Sequence, residues 1–182
     1  MREEYAFVLD YLPTGYPTSF ERKPIIQALG EKYFSLLELV PRQGVKVSLS
    51  EKVYIGPEKR DKILFIKGRL AFSKLTGTAK NELRELLEKL VSEREKEFVE
   101  FFNKAGPITI RQHSLELLPG IGKKHMQDIL EEREKKPFES FKDISERVKL
   151  LPDPKKVIVE RIMEELEGNT KYYLFVKPGR KH

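Results

Sequence analysis

The sequence predicts an α+β protein of more than one domain, with a small β-barrel ahead of an all-α domain. Three observations predict it. Short runs rich in aromatic and β-branched residues, broken by Pro and Gly, fill residues 1–75. Leucines at helical spacing dominate residues 79–104. Short helical segments then continue to residue 168. The 182 residues suffice for one large domain or two small ones.

Taken in order, Tyr5 to Leu12 is the first expected strand, stopped by Pro13-Thr14-Gly15. Tyr33 to Val40 is the second, ended by Pro41. Val45 to Leu49 and Val53 to Ile55 alternate like half-buried strands, and Gly56-Pro57 marks a turn. Lys62 to Phe72 is a longer strand, with Ile63, Phe65 and Lys67 on one face. Several short strands in residues 1–75 predict a barrel or sandwich, with an oligonucleotide-binding (OB-like) barrel as the expected form.

Residues 76–108 form an expected bridging segment, with one helix over 79–104. Leu83, Leu86, Leu87, Leu90 and Val91 follow the helical period, and Phe98, Phe101 and Phe102 resume it after a polar gap. Ala105-Gly106-Pro107 ends that helix. Residues 109–168 are expected as a helical domain. In the last segment, 169–182, Tyr172 to Val176 is an expected strand. A lone strand is unstable without pairing partners, so this one is expected to return to the N-terminal domain.

Composition excludes several function classes. There is no cysteine, which removes disulfides, thiolate catalysis and cysteine-ligated zinc. His113, His125 and His182 do not share metal-ligand spacing. No P-loop, nucleophile elbow or acidic metal cluster is present, so neither an enzyme nor a bound metal is expected. No run of 18 apolar residues occurs, so no membrane span is expected, and the protein reads as cytoplasmic.

The net charge of +6 is unevenly spread. Residues 1–75 carry 13 basic and 9 acidic side chains, while 109–168 carry 12 and 13. The tail adds Lys171, Lys177, Arg180 and Lys181 with no acid. A basic surface attracts polyanions. In the N-terminal domain the expected contributors are Arg42, Lys46, Lys52, Lys59, Arg60 and Lys62. Tyr11, Tyr16, Tyr33 and Tyr54 are candidates for base stacking.

The most informative stretch is residues 115–134, LELLPGIGKKHMQDILEERE. Its Leu118-Pro119-Gly120-Ile121-Gly122 resembles the hairpin of the helix-hairpin-helix family, whose domains have a SAM-like all-α fold. Glycines permit positive φ and clear the way for a phosphate to reach the backbone. Ile121 is expected between the two helices. The second helix begins near Lys123, so its unpaired N–H groups would face the hairpin mouth. Lys123 and Lys124 lie in the first turn, where cations are unfavourable by about 0.3–1 kcal/mol each. A phosphate would reverse the sign of that interaction. The site residues expected to bind nucleic acid are therefore Gly120, Ile121, Gly122, Lys123 and Lys124.

A degenerate second copy follows. Leu117-Leu118-Pro119 recurs as Leu150-Leu151-Pro152, and Lys123-Lys124 as Lys155-Lys156. Asp153-Pro154 replaces the glycines, and suits a helix N-cap followed by the first helical position. The second copy thus keeps the helix and loses the phosphate cradle. Ser140 with Asp143 in the connector reads as a helix N-cap.

Over essentially its full length the chain is similar to the archaeal family called domain of unknown function 655. The likeness rests on EEYAFVLDYLPTG, on LELLPGIGKKHMQDILEERE and on FESFKDI. It implies a barrel-like N-terminal domain, a helix-hairpin-helix domain and RNA binding in preference to DNA. Related hairpins also imply a monovalent cation held by backbone carbonyls, with no other cofactor. Two rival readings stand beside it. One is a protein-interaction scaffold in a ribosome-associated or DNA-repair complex, which the near-neutral charge of 109–168 favours. The other is a DNA-processing enzyme of glycosylase type, in which Asp143 would be the catalytic acid, although it also has a capping role.

Overall fold

The computed structural model describes residues 2–179. Its architecture is α+β, and five strands and five α-helices lie among the described residues. The strands are β1 (Tyr5–Leu12), β2 (Ile25–Gly30), β3 (Leu36–Pro41), β4 (Lys52–Tyr54) and β5 (Ile63–Arg69). They form one curled sheet of order β4-β1-β2-β3-β5, with every neighbouring pair antiparallel. The β1–β2 register runs from Ala6 opposite Gly30 to Leu12 opposite Ile25, with a shift between Val8 and Asp10. The β3–β5 pairing shifts twice. Such bulges bend and twist a sheet. No ladder joins β4 to β5 among the described residues, so the sheet stays open between its two edges.

Strand β2 has no counterpart among the expected strands. All six of its residues are buried, so it lacks the alternation that marks a half-buried strand. Gln27 at its centre is fully buried because both ends of its amide are paired. Nε2 donates to the Lys74 carbonyl at 2.9 Å and to the Tyr16 hydroxyl at 3.2 Å, and Oε1 accepts from Thr76 N–H at 3.0 Å. Thr76 also donates its hydroxyl to Asp10 Oδ2 at 2.6 Å and caps the following helix through Ala79 N–H.

Val45 to Leu49, expected as a strand, forms no ladder. Gly44 and Ser50, both at positive φ, bracket the segment with turns. The chain rejoins β1 only at Ser50 and Glu51, which exchange backbone bonds with Val8. Val47 still reaches the sheet's core beside Ala6, Val8, Ile26, Leu39 and Val53.

The single helix expected over 79–104 is two helices, α1 (Gly77–Glu93) and α2 (Glu95–Lys104). Arg94 leaves the helical conformation at φ −104° and ψ 29°. The polar gap from Ser92 to Glu97 offers nothing to bury across that turn. Glu95 and Glu97 instead favour a new helix start by their place at the positive end of its dipole. Arg94 pairs with Glu97 at 2.8 Å and lies over the Phe98 ring.

The chain divides into two compact units. Leu87–Glu164 forms the helical unit, and the described residues on either side form the sheet unit. The helical unit adds α3 (Lys123–Lys135), α4 (Phe141–Arg147) and most of α5 (Pro154–Glu167). Phe102, Leu115, Leu118, Ile129, Ile144, Ile158 and Ile162 are buried in it. Arg133 Nη1 caps α2 through the carbonyls of Phe102 and Ala105. Arg147 binds the backbone that leaves α3: its guanidinium donates to the carbonyls of Glu132, Lys136 and Pro137 and to Asp143 Oδ2, and lies 4.5 Å over the Phe138 ring.

Tyr172 to Val176 is not a strand. The backbone N–H groups of Leu174, Phe175 and Val176 converge on the buried Glu165 carboxylate at 2.9–3.0 Å. Three successive amides aimed at one anion form a nest, a conformation that no ladder accommodates. The tail nonetheless meets the sheet unit: Lys177 N–H donates to the Tyr33 carbonyl at 3.1 Å, and its ammonium lies over the Tyr33 ring. Arg180 and Lys181 lie outside the described residues. Among the described residues no helix is long and apolar enough to cross a membrane.

Candidate nucleic-acid interface

The helical unit presents its candidate site from the bottom of a capped turn. Ser114–Leu117 forms one turn of 3-10 helix. His113 Nδ1 accepts from Leu115 N–H at 3.1 Å, and Glu116 Oε1 accepts from His113 N–H at 3.1 Å. Burial, and then the Arg133 charge, hold the His113 pKa below its ordinary value, so the neutral, accepting form is favoured.

Leu118 to Ile121 is a tight turn. Ile121 N–H donates to the Leu118 carbonyl at 3.1 Å, Pro119 holds the second position and Gly120 the third, at φ +80°. This is the type II pattern, which demands positive φ at the third residue. Gly122 is then the N-cap of α3. Its φ of −96° is open to any residue, so the positive φ expected of both glycines applies only to Gly120. A Cβ on Gly122 would meet nothing within 4 Å, and what glycine provides there is clearance. No side chain caps α3, its first turn holds no acid, and Lys123 and Lys124 are exposed. Ile121 is buried behind them.

The degenerate second turn differs in the way its sequence implies. Asp153 Oδ1 accepts from Lys155 N–H at 3.0 Å, and α5 begins at Pro154. Its amides are thus engaged where those of α3 are open. The second turn stands against the first, since a Cβ on Gly120 would lie 3.2 Å from Pro152 Cγ. A groove of about 520 Å³ runs beside Pro119, Gly120, Pro152 and Lys156. A cleft of about 360 Å³ holds Lys124, His125, Lys149 and Leu150. Leu150 sits at φ +65° and is 92% exposed.

The six basic residues expected in the sheet unit stand in different local settings. Lys52 pairs with Glu31 at 2.7 Å and lies over Tyr5. Lys62 pairs with Glu51 at 3.1 Å. Arg42 Nε donates to the Arg60 carbonyl, and Arg60 Nε to the Gly56 carbonyl. Lys46 and Lys59 are exposed. Of the six, Arg60 lines a groove of about 630 Å³, together with Arg2 and Arg69, which sequence reasoning missed. The tyrosines considered for stacking are engaged. The Tyr16 hydroxyl accepts from Gln27, the Tyr54 hydroxyl accepts from Glu58 N–H, and the Tyr33 ring faces Lys32 and Lys177. Tyr11 points its hydroxyl at the Val45 carbonyl.

Among the described residues no group of three or more His, Asp or Glu is placed to hold a metal. Asp143, the acid of the glycosylase alternative, accepts from Glu139 N–H at 3.0 Å and from Arg147 at 3.2 Å. Ser140 caps α4 by accepting from Asp143 N–H.

Fold and site together define an α+β protein whose sheet unit and helical unit each expose a cationic feature. The chain belongs to the DUF655 family: the family model described as protein of unknown function (DUF655) matches residues 2–177. It is 50% identical over 177 residues to the uncharacterized protein MJ0038 of Methanocaldococcus jannaschii, across 96% of this chain and 80% of that protein. It is also similar to the crystal structure of Af1531 from Archaeoglobus fulgidus, with a TM-score of 0.87 and 47% identity. That match covers 96% of this chain and 100% of the other.

Proposed function

We propose that this protein binds nucleic acid without catalysis, prefers RNA to DNA, and grips phosphate through a helix-hairpin-helix at residues 114–135. The observation that carries the reading is the uncapped start of α3. A type II turn delivers it, Gly122 leaves space before it, and Lys123 and Lys124 occupy its first turn without an acid. Unpaired N–H groups and the positive end of a helix dipole attract an anion. Two lysines at the same end oppose helix stability, and an anion bound there turns that opposition into attraction. The preference for RNA rests on the family resemblance. The curled sheet supports an incompletely closed barrel, and it shares five strands and partial opening with the oligonucleotide-binding barrel. Arg60, with the exposed Lys46 and Lys59, is the expected basic contribution from that unit.

The test is binding of fluorescent single-stranded RNA, duplex RNA and duplex DNA across a salt series, for the native chain and for Gly122→Val with Lys124→Glu. Circular dichroism checks that the variant stays folded. A log–log salt slope of about −0.7 per neutralised phosphate on single strands, or about −0.9 on duplex DNA, is expected, reduced in the variant. Absence of binding to all three at low salt would put the interaction-scaffold reading in front.

A further inference from the structure

The sheet unit carries a groove that its sequence pattern does not announce. It lies between the two unpaired edges of the sheet. Ile55, Gly56 and Pro57, which follow β4, form one side, and Phe65, Ile66 and Arg69 of β5 form the other. Its volume, about 630 Å³, falls in the roughly 300–1,000 Å³ range of ligand sites. Buried Leu37 and Ile55 give it an apolar part, and Arg2, Arg60 and Arg69 surround it. Two of these cations are positioned by the backbone: Arg60 Nε donates to the Gly56 carbonyl at 2.8 Å, and Arg69 Nη1 to the Lys177 carbonyl at 3.3 Å. Glu3 and Glu4 also line the groove. The Glu3 carboxylate is already engaged by the N–H groups of Lys32 and Tyr33, at 2.9 and 2.7 Å.

Strand β5 is anomalous for an edge. Leu64, Phe65 and Ile66 are exposed in succession, so apolar side chains stand on both of its faces. Natural sheets blunt such edges, because they invite another chain. A second cavity, of about 260 Å³, shares Phe65 in its lining and holds Tyr16, Lys23 and Lys67. Two cavities that share one aromatic ring in their linings suit a polymer better than a single small molecule. Three arginines select a polyanion, and an exposed aromatic beside them supplies a surface for bases.

We infer that this groove takes single-stranded nucleic acid, with bases against Phe65 and Ile66 and phosphates on Arg2, Arg60 and Arg69. The inference rests on the nucleic-acid-binding reading but uses a surface other than the hairpin. An extended peptide added to the β5 edge is the competing occupant.

The experiment uses the full chain and fluorescence anisotropy with labelled oligouridylate and oligodeoxythymidylate of about ten nucleotides. Two variants address the groove: Phe65→Ala, and Arg2→Glu with Arg60→Gln. Gly122→Val with Lys124→Glu addresses the hairpin, and circular dichroism checks every variant. Phe65→Ala is expected to weaken single-strand binding about tenfold. The arginine variant is expected to weaken it and to flatten its salt slope by about 0.7 for each lost phosphate contact. Loss of single-strand affinity in the folded groove variants, with the hairpin variant less affected, supports the groove. Unchanged single-strand affinity in both folded groove variants, with loss in the hairpin variant, would overturn this inference and leave the hairpin reading intact. Equal competition by polyglutamate would overturn the choice of nucleic acid as occupant. No binding by the native chain would overturn both.

Discussion

A Cβ built on Gly120 stands 3.2 Å from Cγ of Pro152, so the two turns of the helical unit abut with no room for a side chain between them. Gly120 also sits at φ +80°, where an L-residue is strained by about 1–2 kcal/mol. Gly120→Ala is therefore expected to lower stability by about 1–3 kcal/mol in urea unfolding. Gly122→Ala is expected to cost less, within about 1 kcal/mol, since its Cβ meets open space and only the N-cap preference for glycine over alanine is lost. Equal losses at the two glycines would contradict the distinction drawn between them.

Lys123 and Lys124 oppose the dipole of α3, whose first turn holds no acid. Lys123→Glu with Lys124→Glu is expected to raise stability by about 0.3–1 kcal/mol per site while weakening nucleic-acid binding. Calorimetry at low and high salt checks it, because the gain must shrink as charge is screened. A destabilised double variant would show that the lysines serve the fold.

Arg147 joins the end of α3 to α4 through four acceptors and the Phe138 ring. Lysine cannot reproduce a planar fork. Arg147→Lys is expected to cost about 2 kcal/mol, and Arg147→Ala more, by leaving carbonyls unpaired. Hydrogen exchange should quicken first at Lys136 and Val148, whose amides end α3 and α4.

His113 gives a pH dependence of definite sign. Its Nδ1 must be unprotonated to accept from Leu115 N–H. Burial and Arg133 lower its pKa in the folded state, so the unfolded chain takes up the proton first as pH falls. The contribution is complete above the unfolded value of about 6.5 and is lost as pH falls through the lower folded value. His113→Ser, which retains a capping acceptor, is expected to flatten the stability profile below about pH 6.5. An unchanged slope would remove His113 as its source.

Gln27 is the polar centre of a wholly buried and otherwise apolar strand. Gln27→Leu keeps the volume but strands the Lys74 carbonyl and Thr76 N–H, at about 1–3 kcal/mol for each unsatisfied group. Chemical denaturation reads the loss. A neutral outcome would mean that water replaces the amide.

Much of this protein was legible along the chain wherever the signal was local. The α+β class, β1 from Tyr5 to Leu12 and the Gly122–Lys123 start of α3 follow from alternation, periodicity and breakers in neighbouring residues. The same holds for the Asp153-Pro154 start of α5 and the Ser140 cap of α4. Other features depend on partners distant in sequence. Strand β2 is hidden because burial on both faces erases alternation. Tyr172 to Val176 has strand composition, yet Glu165 gathers its amides into a nest. Lys52 and Lys62 read as basic contributors to the surface, and the fold sets Glu31 and Glu51 beside them, while Arg2 and Arg69 meet Arg60 only when the sheet curls. A turn or a cap is decided by the dihedral preferences and hydrogen bonds of a few adjacent residues, which the sequence states directly. A charged surface or a groove is decided by which distant side chains neutralise, bury or face one another, and only the tertiary structure settles that.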